Sequence, residues 1–189
     1  MAHLPNNNQA HTAILDPVAF QALDAWLQAH VQHVQSVQVG KIDLEKLGHL
    51  LSANPIEIDC LGSLGTSPGK EDLQQRLLIL RQVYPALQRH KDKLNISTSL
   101  LAETFAIYIP LARFICARSR EIRQQQQRAL VFGINGGQGS GKTVLSAFLR
   151  IILSHGFAQK VAGFSIDDMY KTYAQRQEMG RTVHPLFAT

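Results

Sequence analysis

The stretch Ala129-Leu-Val-Phe-Gly-Ile-Asn-Gly-Gly-Gln-Gly-Ser-Gly-Lys-Thr143 decides how this chain is read. Ala129 to Ile134 is a short apolar run, the composition of a strand buried on both faces. A glycine-rich turn follows. Val144, Leu145, Phe148, Leu149 and Ile152 then recur at helical spacing from Thr143 to Ser154, with Gly156 as the stop. Lys160 to Ile166 has the character of a second strand, with Asp167 and Asp168 at its carboxyl end. Strand, helix and strand within about 38 residues predict one βαβ unit of a parallel sheet.

The turn itself, Gly136-Gly-Gln-Gly-Ser-Gly141-Lys142-Thr143, matches G-x-x-x-x-G-K-[ST] at every fixed position. Gly136, Gly137, Gly139 and Gly141 can take positive φ and bring backbone N–H groups close to phosphate oxygens, with Gln138 and Ser140 completing the loop. The helix that opens at its end adds free N–H groups and the positive end of a dipole. Lys142 supplies a point charge for the β- and γ-phosphates, and Thr143 a hydroxyl for Mg²⁺. A glycine-rich turn could hold Lys-Thr by chance. The apolar run before it and the amphipathic helix after it favour the nucleotide reading, with ATP and Mg²⁺ as the ligands.

Ligands of open α/β sheets bind beyond the carboxyl ends of the strands, so Asp167 and Asp168 are expected to face the loop. A carboxylate there can take a proton from an attacking hydroxyl or hold Mg²⁺. The competing reading is a solvated Asp-Asp cap before a helix from Lys171 to Met179.

Residues 1–128 read as a helical region with its boundary near Arg128. Asp16-Pro17 is a helix start, and Phe20, Leu23, Leu27, Val31 and Val34 continue it toward Gly40. A shorter helix is predicted from Leu44 to Leu51. From Glu71, Leu73, Leu77, Leu80 and Tyr84 form a stripe that Pro85 should kink or end. A long helix from Ser99 toward Arg128 is expected to bend at Pro110, with Arg118 to Arg128 exposed. His30 and His33 lack a carboxylate partner for a metal site, and Trp26 reads as core.

The chain has 19 Lys and Arg against 14 Asp and Glu, for a net charge of +5. The excess is +2 before Ala129 (13 basic, 11 acidic) and +3 after it (6 basic, 3 acidic), without a block of like charge. That pattern suits anionic small molecules as well as nucleic acid and alone decides neither, while the glutamine-rich Gln124 to Gln127 reads as a solvated helix end rather than a nucleic-acid patch. Two cysteines, Cys60 and Cys116, are too few for a disulfide scaffold, so a reducing, cytoplasmic setting is expected. The apolar window from Leu100 to Ala117 contains Glu103, Pro110 and Arg113, which argues for a buried helix and against a membrane span. Nothing in the sequence reports oligomeric state.

The pairing of Gly-Gln-Gly-Ser-Gly-Lys-Thr with Ser165-Ile-Asp-Asp-Met-Tyr170, followed by Arg176 and His184-Pro185-Leu186, resembles the D-glycerate 3-kinase group. That group belongs to the P-loop kinases that include phosphoribulokinase, uridine kinase and pantothenate kinase. The resemblance covers residues 129–189 and implies an α/β kinase-type parallel sheet, preceded here by the helical region. It implies ATP-dependent phosphotransfer to a small-molecule hydroxyl, that of D-glycerate, with Asp167 activating the acceptor and Tyr170 lining its site. Asp168 is a second candidate for the acceptor or the metal. In the family, His-Pro-Leu leads into a loop with the pattern Arg-Gly-x-Pro-Gly-Thr-His-Asp; this sequence stops at Thr189 before any such loop, a departure from the family's pattern. Only the first βαβ unit of such a sheet is evident, so truncation of a longer kinase is the favoured reading, and the 189 residues alone are then expected to be inactive. The rivals are another small-molecule kinase of this class and a non-catalytic nucleotide-binding regulator.

Overall fold

A computed structural model describes residues 17–35, 42–52, 69–165 and 171–188. Helix α1 spans Pro17–Gln35 and starts at its proline, whose fixed φ suits the first turn. It buries Leu23, Trp26 and Leu27 on one side. Helix α2 (Leu44–Ser52) is capped by Asp43, whose Oδ1 accepts from the Lys46 N–H at 3.0 Å, and it buries Leu47 and Leu51. Helix α3 (Lys70–Lys93) is the longest and forms the spine, with Leu73, Leu77, Leu80, Val83 and Leu87 along its buried stripe. It does not end at Pro85. That proline is exposed, so water can satisfy the carbonyl that loses its N–H partner.

The long helix expected after Ser99 is built in three pieces: α4 (Leu101–Glu103), a π-helical turn (Thr104–Tyr108) and α5 (Ile109–Gln126). Pro110 has no N–H to return to Ala106, and its ring would press on that carbonyl in a regular helix. The wider π turn just before it relieves the conflict. The start of α4 is held from a distance. Leu100 is in the left-handed region at φ 57°, and the Ala102 N–H donates to Asp24 Oδ1 of α1 at 3.1 Å. A carboxylate 78 residues away thus satisfies one of the orphan donors of this helix.

Helix α6 (Lys142–Ile151) and a second π turn (Ile152–Gly156) follow the glycine-rich loop, and Phe148, Leu149, Ile152 and Leu153 join the same hydrophobic core as α1–α5. A Cβ on Gly156 would lie 3.0 Å from Ile79 Cγ2 and 3.1 Å from Val83 Cγ1, so its lack of a side chain lets the π turn sit close on α3. The chain closes with α7 (Tyr173–Thr182), which carries a capping box between Thr172 and Gln175 and buries no residue, and a 3-10 turn (Pro185–Ala188).

The α/β parallel sheet expected from residues 129–166 is not formed. About 72% of the described residues are helical and none is in a strand. The run 129–134 and residues 160–165 of the second run are irregular. Leu130, Ile134, Phe157 and Val161 turn to the helical core instead, while Val131 and Phe164 stay 85% and 81% exposed. Two parallel strands with one crossover helix cover one sheet face at most, and here the helical core competes for the same apolar side chains.

One ionic cluster, built around a buried arginine, ties α3 to α5. Arg76 Nε lies 2.6 Å from Asp72 Oδ2, and Arg113 Nη1 donates to Asp72 Oδ1. The Arg76 side chain is only 7% exposed, and this burial pulls its pKa below the usual guanidinium range. Asp72 is therefore the counter-charge for a desolvated cation. Asp72→Ala is expected to destabilise the fold by about 2–3 kcal/mol, somewhat under the cost of stripping a fully buried pair because the carboxylate is partly solvated. Urea unfolding measures this. An unchanged midpoint would show that the cluster contributes no net stability.

Candidate phosphate-binding loop

The loop 136–141 is built by its glycines. Gly139 and Gly141 have φ of +77° and +81°, a region that costs a side-chain-bearing residue about 1–2 kcal/mol. The Ser140 N–H returns to Gly137 O at 3.3 Å and closes the turn. A Cβ on Gly136 would come within 2.8 Å of Ser140 Oγ, a hydroxyl that would have to turn aside to admit it. Lys142 folds back across the loop, with Nζ donating to Gly136 O at 2.7 Å and to Gly137 O at 2.6 Å. The ammonium is held over the cradle by two carbonyl dipoles.

Gly141 is the N-cap of α6 and offers no side chain to its first turn. The first backbone bond of the helix runs from Leu145 N–H to Gly141 O at 2.9 Å. The N–H groups of Lys142, Thr143 and Val144 precede it and point out of the helix start. Donors, dipole and ammonium therefore belong to one short segment, 136–144, a combination that fits a phosphate group. The carbonyls that Lys142 holds compete poorly with a phosphate for its charge. Thr143 is exposed at the same helix start, within the set expected to meet the metal.

Of the residues picked out in the sequence, Gly136, Gly137, Gln138, Gly139, Ser140, Gly141, Lys142 and Thr143 are brought together here. Asp167, Asp168 and Tyr170 lie outside the described residues. Arg176 is on α7, where its guanidinium stands 5.9 Å from the Tyr173 ring centroid, and His184 Nδ1 accepts from the Leu186 N–H at 3.3 Å. No cluster of three metal-binding side chains occurs among the described residues. None of their helices is long and apolar enough to cross a membrane.

Sequence reasoning missed how α6 is seated. Phe148, six residues after Lys142, is 2% exposed and has its ring edge-on to Tyr108 (centroids 6.0 Å apart, 90°) and His90 (6.3 Å, 68°). The helical spacing marks Phe148 as apolar-facing but carries no hint that the partners are on α3 and the first π turn. Comparison of the chain with protein families, curated proteins and solved structures finds no match.

The loop geometry separates its glycines. Gly141→Ala should lower the unfolding free energy by about 1–2 kcal/mol through its left-handed backbone. Gly137→Ala has open space around the new methyl and no positive φ, so it should leave stability unchanged or slightly raised. Denaturant midpoints of the two variants give the comparison, and equal losses would contradict the loop conformation.

Proposed function

We propose that the chain binds a nucleoside triphosphate, ATP, through residues 136–143, and that it serves phosphoryl transfer to a small-molecule hydroxyl. What supports this reading is that the left-handed glycines, the open α6 N-terminus and a Lys142 folded back over the loop occur in one short segment. Uncommitted donors and a lysine ammonium are what a polyphosphate needs, and an exposed cradle admits it from solvent.

In this reading the loop amides and Lys142 hold the β- and γ-phosphates and neutralise charge that grows on their oxygens. Mg²⁺, when bound, shields the same phosphates, with Thr143 as its ligand and Asp168 as a second candidate. Asp167 accepts the proton of the acceptor hydroxyl as it attacks the γ-phosphorus in line. Tyr170 borders the acceptor. D-Glycerate is the acceptor that the resemblance to D-glycerate 3-kinases supports, and a reducing cytoplasm suits the cysteine usage. The helical region 1–128 and the segment from 129 form the two parts of the proposed organisation, the second bearing the phosphate loop.

Lys142→Ala is expected to weaken ATP affinity by about 10- to 100-fold, the equivalent of one charge-assisted contact of about 1.5–3 kcal/mol. Isothermal calorimetry in Mg²⁺ buffer measures it, and equal affinity in both proteins would refute the loop as the site. A phosphorylation screen against glycerate, nucleosides, pantothenate and ribulose 5-phosphate identifies the acceptor. With turnover in hand, Asp167→Asn should leave ATP affinity intact and lower kcat by about 10²–10⁴-fold.

A further inference from the structure

We infer that occupation of the phosphate loop is coupled to the packing of the helical core, through α6 and the Phe148 contact. The inference rests on the nucleotide reading of the loop and adds to it a route by which the helical region regulates that site.

Three observations carry it. First, the donors of the cradle are the first N–H groups of α6, so their direction is that of the helix. Second, no strand lies under α6 among the described residues, and its apolar side packs on the helical bundle. Ala147, Phe148 and Leu149 are buried on its inner side, and Ile152 and Leu153 continue that side into the second π turn. Third, α6 and the turn after it meet α3 at two places. The Phe148 ring meets His90 near its C-terminal end and Tyr108 at the end of the first π turn, and Gly156 meets Ile79 and Val83 at its middle.

Undocked, a helix of ten residues is too short to hold itself in water, so its first three amides lose their common aim and a phosphate that needs all three binds the docked helix. Ligand that binds only the docked state suppresses undocking in the proportion 1 + [L]/Kd. The amides that report undocking are those of α3 around 83–90 and of the π turn 104–108, since their packing partners leave with α6. None of these residues belongs to the phosphate loop, so their response distinguishes coupling from contact.

The experiment is hydrogen–deuterium exchange of the full chain with and without Mg·ATP. At a ligand concentration thirty times Kd, exchange through undocking is expected to slow about 30-fold in 83–90 and 104–108, together with slowing at 136–145. Slowing confined to 136–145 would overturn the coupling and leave nucleotide binding standing. No slowing at the loop would overturn both. Phe148→Leu supplies an independent readout, because it keeps an apolar side chain and leaves the loop sequence untouched. Coupling predicts a rise in the Kd for Mg·ATP of about 2- to 30-fold at unchanged helical circular dichroism. An unchanged Kd beside faster exchange in 83–90 would show that α6 seating is purely structural.

Discussion

The seating of α6 on α3 is the contact on which the rest of this structure depends. Its apolar side, from Ala147 to Leu153, completes the core that α1–α5 leave open, and its other end carries the glycine loop. Without that docking, Phe148 would expose a large aromatic surface and the loop amides would lose their common direction. With it, a short helix of ten residues is fixed at one end by packing and starts at the other on a glycine that offers no side-chain cap. The close approach depends on small details, such as the hydrogen at the Cα of Gly156 where any side chain would meet Ile79 and Val83.

The helical region was legible because its signals are local. Pro17 at the start of α1 and the leucine stripe of α3 each act within one or two turns. Pro85 misled because a proline on the exposed side of a long, well-buried helix costs less than losing the packing of Leu87 beyond it. The π turn before Pro110 escaped notice, since periodicity identifies a helix but not a one-residue change in its winding. Asp24 capping α4 and Asp72 between two arginines join residues far apart in sequence, and no spacing rule points to such pairs.

The sheet is where the sequence reading and the structure part. Ala129 to Ile134 has a strand's composition, but apolar composition states only that the side chains seek burial. A strand also needs neighbours to take its N–H and C=O groups. Here Leu130 and Ile134 find burial against helices, and the backbone between them has no ladder to join. The glycine loop was readable for the opposite reason. Its conformation is encoded by residues 136–143 themselves, through left-handed glycines and a lysine long enough to reach back over two carbonyls. The loop therefore keeps its turn even where the surrounding architecture is helical, while the α6 amides beside it depend on docking.

The central claim is that this cradle takes the phosphates of a nucleotide. A titration of the ¹⁵N-labelled full chain with Mg·ATP, followed by amide chemical shifts, tests it residue by residue. The account predicts saturable shifts that follow one binding curve at Gly137, Gly139, Gly141, Lys142, Thr143 and Val144. Shifts that do not saturate, or that gather on the exposed arginines of α5 while the loop stays silent, would contradict it.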